Sequence, residues 1–195
     1  MKTWTALTLF LALSWPSAVM AQELETPERF QGIIIDAGGA VPRRSTAPFT
    51  LVIEKYSTVE EINSLIGVLA EGGQNALEKA MFKLDNGYIK IGASTGYPIS
   101  ITRSLDVDGG RIIRAVTDRP IQMFEVRRNL RSLEHSLGII EIELPAGAKK
   151  GTGQLIAAAK VSLRENGSIE IESLGTQPFR LSNVTLKADK KKKKK

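Results

Sequence analysis

The stretch VSLRENGSIEIES, residues 161–173, predicts a β-hairpin. Aliphatic and polar residues alternate on both sides of the Asn166-Gly167 pair, as in strands that bury one face. Asn-Gly between two such runs favours a type I′ turn, because both central residues of that turn need positive φ. We therefore expect two antiparallel strands joined at Asn166 and Gly167.

Strand signals recur along the whole chain on either side of this hairpin. Asp108-Gly109-Gly110 predicts another tight hairpin. Consecutive strands with short connections must pair antiparallel. The expected strands cover residues 30–36, 49–55, 88–91, 99–107, 111–117, 121–126, 137–144, 153–163, 169–173 and 179–186.

Residues 57–86 interrupt the strands with a helical pattern. Ser57 and Thr58 each stand three residues before a glutamate, which is the capping-box spacing. Apolar residues then recur at helical intervals up to Gly72-Gly73, where we expect a break, and again from Gln74 onward. The sequence predicts an α+β domain, a mainly antiparallel β-sheet (a sandwich or partly closed barrel) with an inserted helical hairpin.

The first 21 residues predict a signal peptide. Lys2 is followed by a short apolar run, and Val19 and Ala21 are the small residues that a signal peptidase requires. We expect a single β-rich domain over residues 22–187 in a periplasmic or secreted bacterial protein, with no transmembrane span after cleavage. The chain has no cysteine, so neither disulfides nor thiolate metal sites are expected.

The net charge of +6 comes from the C-terminal lysines. Without Lys2 and Lys190–Lys195, the 27 basic residues fall to 20, against 21 acidic residues. Residues 188–195 are expected to be disordered, because the lysines repel each other and bury nothing. Lys190, Lys191, Lys192, Lys193, Lys194 and Lys195 are candidates for contact with an anionic envelope surface, or form a solubilising tail. We expect no nucleic-acid partner for an exported chain.

The residues IGASTGYPISI, 91–101, contain the G-x-S-x-G spacing of serine hydrolases around Ser94. That motif requires a strand before the serine and a helix after it. Here Pro98 and an alternating run follow, which predicts a second strand and makes Ser94 part of a turn. A hydrolase that uses Ser94 with His135, the single histidine, remains the alternative.

No metal or cofactor is expected. Asp106 and Asp108 resemble the start of a calcium loop, but Arg111 and Thr117 occupy the positions where that loop needs glycine and glutamate. The hairpin turn accounts for the same residues.

An arginine-rich segment, residues 117–135, is the candidate ligand-binding region. Several arginines in one irregular stretch can hold a phosphate or carboxylate by paired hydrogen bonds. The alternative is internal ion pairing with the acidic residues nearby, such as Asp118 and Glu134. The candidate arginines are Arg119, Arg127, Arg128 and Arg131.

Four stretches together resemble a family of small exported bacterial proteins with no assigned activity. They are LAEGGQNALEKAMFKLDNGYIKI (69–91), TDRPIQMFEVRRNL (117–130), IIEIEL (139–144) and QPFRLSNV (177–184). The resemblance implies export and supplies no catalytic or binding residue.

The sequence favours a non-enzymatic binding or accessory domain of the cell envelope, whose ligand and partner it does not identify. A β-barrel that binds an apolar ligand is a further alternative to the serine hydrolase.

Overall fold

The computed structural model describes residues 26–36, 46–121, 134–174 and 178–187. These residues form one α-helix, α1 (Val59–Met81), and nine β-strands. The strands are β1 (Glu28–Ile35), β2 (Thr46–Ile53), β3 (Gly87–Ile91), β4 (Tyr97–Val107), β5 (Gly110–Thr117), β6 (Leu137–Pro145), β7 (Gly151–Leu163), β8 (Ile169–Ser173) and β9 (Phe179–Lys187). The predicted α+β class with a mainly antiparallel sheet is confirmed.

Eight of these strands form a closed barrel. The sheet runs in the order β6-β5-β4-β3-β2-β1-β9-β7-β8, and every pairing is antiparallel. An additional pairing between β6 and β7 closes the ring. β8 lies outside this ring and pairs with the second half of β7.

Side chains fill the barrel lumen. Phe30, Leu51, Ile89, Ile113 and Ile140 come from five different strands, and each is fully buried in the same apolar cluster. An eight-stranded barrel has an interior just wide enough for such side chains. The barrel is therefore stabilised by its own apolar core.

Helix α1 packs against the outside of the barrel. Thr58 caps it through the predicted capping box: its hydroxyl accepts a hydrogen bond from the Glu61 amide at 3.1 Å, and the Glu61 carboxylate accepts one from the Thr58 amide. Gly73 (φ 65°, ψ −168°) is non-helical, so the break that the sequence predicted lies there. Leu65, Leu77 and other α1 residues form a second apolar cluster against β6 and β7. No helix in the described ranges is long and apolar enough to cross a membrane.

The 161–173 hairpin is present, but the prediction of a type I′ turn is wrong. Gly167 has φ 78°, whereas Asn166 is not among the residues with positive φ. The Gly167 amide donates to the Arg164 carbonyl at 2.9 Å, and the Ser168 amide donates to the Asn166 side chain at 3.0 Å. The loop therefore has three residues and places glycine at its left-handed position, the other common hairpin arrangement.

Candidate ligand-binding cleft

An apolar cleft of about 400 Å³ lies between α1 and the outer face of the barrel. All but three of the described side chains that line it are aliphatic or thioether. The helix contributes Ile62, Leu65, Ile66, Leu69, Leu77 and Met81. The barrel contributes Ile101, Val116, Leu137, Ile139, Ile156 and Val161, together with the polar residues Arg114, Glu141 and Gln154.

Strand β8 supplies one wall of the cleft. Ile169 and Ile171 line it, and each remains 48% exposed. β8 can reach this position because it extends past the closed ring, paired through residues 159–163 of β7. The cleft is thus bounded by an interrupted helix and an edge strand, and solvent reaches its aliphatic side chains at the β8 wall.

Strand register sets two parallel rows of side chains under the helix. Ile101, Val116, Ile139 and Ile156 are successive cross-strand partners on β4 to β7, and all four line the cleft. The next row on the same face is polar. It consists of Arg103, Arg114, Glu141, Gln154 and Arg180, which are successive partners on β4, β5, β6, β7 and β9.

The polar row is joined at its centre by Glu141. The Glu141 carboxylate accepts a hydrogen bond from Arg114 Nε at 2.6 Å and another from Gln154 Nε2 at 3.3 Å. Arg114 is 53% exposed in its side chain and Glu141 is 20% exposed. These two groups form an ion pair at the edge of the aliphatic surface.

Gln74 fastens the second half of α1 to the barrel. Its side-chain carbonyl accepts a hydrogen bond from the Val161 amide at 2.7 Å, and its amide nitrogen donates to the Glu134 carbonyl at 2.7 Å. β6 begins at Leu137, opposite Ala159, so β7 extends past its neighbour and Val161 needs another acceptor. Gln74 satisfies that amide and holds the residues after Gly73 in place.

Asn86 fastens the two ends of the helical insertion to β4. Its side-chain amide donates to Ser57 Oγ at 2.9 Å and to the Ser100 carbonyl at 2.7 Å. Ser57 Oγ also accepts a hydrogen bond from the Thr102 amide at 3.1 Å. Asn86 is fully buried, and these bonds satisfy its side-chain nitrogen, whereas its Oδ1 accepts no hydrogen bond from the described residues.

A charged cluster at the start of β1 was not predicted from the sequence. The Glu28 carboxylate accepts hydrogen bonds from Arg111 Nη2 at 2.7 and 3.0 Å and from the Tyr56 hydroxyl. Burial and the neighbouring Glu28 carboxylate raise the pKa of Tyr56 above its ordinary value. The cluster joins β1, β5 and the residues after β2. No sequence signal brings these three positions together.

Ser94 lies in the turn between β3 and β4. Its hydroxyl accepts a hydrogen bond from the Ile91 amide at 3.0 Å, and strand β4 follows three residues later. The helix that a nucleophile elbow requires is absent at this point of the described chain. His135 is buried, with Nε2 3.7 Å from a Glu172 oxygen. The hydrolase that uses Ser94 and His135 stays a hypothesis.

Arg119 is the one candidate arginine within the described ranges. Its guanidinium forms a two-point ion pair with its neighbour Asp118, at 2.9 and 3.1 Å, and this contact raises its pKa. Arg127, Arg128 and Arg131 lie outside the described residues, as do the signal-peptide segment and Lys190–Lys195. The predicted ligand-binding segment therefore stays untested apart from Arg119.

The sequence contained part of the signal for the cleft. The helical stripe and the alternating isoleucines of β8 were both visible as apolar faces. The space between them depends on strand register and on the position of α1, which spacing alone does not give.

Comparison with known proteins gives no relative of this chain. No protein-family model matches it, and the comparisons with curated proteins and with solved structures return no match. The resemblance to exported bacterial proteins therefore stays a prediction.

Proposed function

We propose that this protein is a non-enzymatic binding domain that holds an aliphatic ligand in the cleft between α1 and the barrel. One observation carries the proposal: a cavity of about 400 Å³ with an almost entirely aliphatic lining. Ligand sites are typically concave, apolar cavities of about 300–1,000 Å³ with a few polar groups.

The character of the lining favours a hydrocarbon chain over a ring system. Isoleucine, leucine, valine and methionine form the walls, and no aromatic side chain among the described residues lines the cleft. Of the described residues that line the cleft, those with hydrogen-bonding side chains all belong to the row that contains Arg114 and Glu141. A polar molecule bound in the rest of the cleft would lose its hydrogen bonds to water without replacement.

The location that we propose is the bacterial envelope, as a periplasmic or secreted protein. Its support comes from the sequence alone, through the signal-peptide pattern of residues 1–21. Lys190–Lys195 would add a salt-sensitive attraction to anionic envelope polymers or lipids.

Calorimetric titration of the purified protein with decan-1-ol tests the proposal. We expect saturable binding with a negative heat-capacity change, the signature of apolar burial. Ile156→Trp, which fills the cleft from β7, should weaken binding about tenfold or more, equivalent to about 1.4 kcal/mol.

Ile33→Trp is the matched control. Ile33 is an outward-facing isoleucine on β1, 38% exposed, and it does not line the cleft. This variant should bind decan-1-ol as the native protein does. Absence of binding by the native protein, or equal binding by Ile156→Trp, would contradict the proposal.

A further inference from the structure

We propose that the ligand of this cleft is an anionic amphiphile whose head group binds Arg114. This inference rests on the proposed function and adds the chemical class of the ligand. It predicts a negatively charged, oxygen-rich head, carboxylate or phosphate, at one end of an aliphatic chain.

The position of the head group follows from the two rows of side chains. Ile139 and its row partners cover the floor of the cleft with hydrocarbon, and the row with Arg114 borders it on the same barrel face. Cross-strand partners lie about 5 Å apart, so the polar row forms a continuous edge. An amphiphile whose chain lies on the aliphatic row can satisfy its head group at this edge.

The hydrogen-bonding capacity of the polar row favours an acceptor. Arg114 uses Nε to donate to Glu141, and both of its terminal nitrogens make no hydrogen bond to any described residue. A guanidinium has five N–H donors and no acceptor, so four remain available. Glu141 already accepts from Arg114 and from Gln154. The row therefore offers more donors than acceptors.

The geometry of a guanidinium matches the proposed head group. The two terminal nitrogens of arginine present parallel N–H groups, which fit two oxygens of one carboxylate or phosphate. The hydrogen bond from Nε to Glu141 orients the guanidinium on β5 before any ligand binds. Less side-chain freedom is then lost on binding.

The charge of the polar row points to the same class. Its charged members are three arginines (Arg103, Arg114 and Arg180) and one glutamate, Glu141. Arg103 and Arg180 make no ion pair with a residue in the described ranges. Glu143 lies one row further from the cleft, opposite Ile112 and Thr152. An excess of positive charge at the cleft edge attracts an anion over a neutral head.

Three probes with the same chain length test the inference: decanoic acid, decyl phosphate and decan-1-ol, each titrated calorimetrically into the full-length protein. We expect at least one anionic probe to bind about tenfold more tightly than the alcohol. Raising the salt concentration from about 0.05 to about 0.5 M should lower the affinity for the anionic probe and leave the affinity for decan-1-ol unchanged. Comparison of the two anionic probes identifies the head group as carboxylate or phosphate.

Arg114→Gln should abolish the preference for the anionic probe, so that this probe binds the variant no more tightly than decan-1-ol does. Glu141→Gln should increase the affinity for the anionic probe, because it removes a competing negative charge beside Arg114. Arg164→Gln is the matched control: Arg164 is also an exposed, ion-paired arginine, but it pairs with Glu170 and does not line the cleft.

The failures of the two proposals are distinguishable. Equal affinity for all three probes in the native protein, or an equal loss for the anionic probes and the alcohol in Arg114→Gln, would overturn the anionic head group and leave the aliphatic cleft intact. No binding of any probe would overturn the cleft itself. If Arg114→Gln fails to fold, the salt series and Glu141→Gln decide the question, and unchanged anion affinity in both would reject the inference.

Discussion

The barrel lumen and the outer cleft are both built from apolar side chains, yet the lumen side chains are buried and the cleft is open to solvent. Eight hydrogen-bonded strands surround the lumen, and residues such as Leu51 and Ile140 are fully buried there. The cleft is covered by a helix that is interrupted at Gly73 and by β8, where Ile171 stays 48% exposed. A closed ring of strands brings its inward side chains into contact, whereas a helix laid across the ring leaves space.

The largest expected effect on stability is the difference between two neighbouring isoleucines of β6 whose side chains lie on opposite faces of the strand. Ile140 is fully buried in the lumen, and Ile139 is half-buried in the cleft. Ile140→Ala should lower the free energy of unfolding by about 2–5 kcal/mol, because it leaves a cavity in a packed core. Ile139→Ala should lower it by about 1 kcal/mol, since its surroundings are already open. Urea unfolding of both variants measures the difference. Equal losses would show that the cleft is packed as tightly as the lumen.

The buried amide that joins the helical insertion to the barrel should give the next largest effect. Asn86→Ala removes the donor to Ser57 and Ser100 and should lower the unfolding free energy by about 2–3 kcal/mol, because buried acceptors lose their partner. Asn75→Ala, on the exposed side of α1, is the control and should cost nothing measurable. A small loss for Asn86→Ala would mean that the insertion is held mainly by apolar contacts.

Two glycines of α1 distinguish the interrupted part of the helix from its regular part. An added Cβ meets no atom within 4 Å at either Gly67 or Gly73, but Gly73 has φ +65°. Gly73→Ala should destabilise the protein by about 1–3 kcal/mol through backbone strain. Gly67→Ala should stabilise it by about 0.5–1 kcal/mol through helix propensity. Thermal unfolding of the pair checks both signs, and a stabilising Gly73→Ala would indicate that the interruption is dispensable.

The smallest expected effect is the pH dependence of the ion pair between Lys160 and Glu134, which lies beside the contacts of Gln74 with the barrel. The Lys160 ammonium lies 2.9 Å from the Glu134 carboxylate and lowers the pKa of that carboxyl below its ordinary value. The contribution to stability is therefore present above the unfolded pKa of about 4.3, and it is lost as the pH falls through the folded pKa. An NMR titration should show the Glu134 pKa rising toward its ordinary value in Lys160→Gln.

Lys187→Gln is the control for this titration and should leave the Glu134 pKa unchanged. Because both groups of the pair are exposed, we expect no difference in unfolding free energy that urea titration resolves. An unchanged Glu134 pKa in Lys160→Gln would mean that the ion pair does not persist in solution.

Features that depend on neighbouring residues were predictable from the sequence. The helix cap at Thr58, the break at Gly73 and the hairpin at Gly109-Gly110 depend on residues within four positions of one another. The turn type at Asn166-Gly167 was predicted wrongly. The loop there has three residues rather than two, and the Asn166 side chain bonds to the Ser168 amide. Asn-Gly is compatible with both the two-residue type I′ turn and the three-residue loop, so the dipeptide did not distinguish between them.

The candidate site was not predictable because its residues are distant in the chain. Arg114 and Glu141 are 27 positions apart and become neighbours through the register of β5 and β6. Arg103, on β4, joins one end of the same row, and Arg180, on β9, joins the other end. The arginines predicted to bind a ligand are close together in the chain, and Arg119 among them pairs with its neighbour Asp118.

The sequence by itself determined the strands that the structure describes, the antiparallel pairing of consecutive strands and the apolar stripe of α1, because periodicity and turn chemistry act over a few residues. The strand predicted over residues 121–126 lies outside the described residues apart from Ile121. Only the tertiary structure decided that β9 pairs with both β1 and β7 to complete a closed barrel and that α1 covers its outer face. It also decided that a row with three arginines borders an aliphatic cleft. Each of these outcomes depends on the register between strands that are distant in the chain, and the sequence pattern is compatible with more than one register.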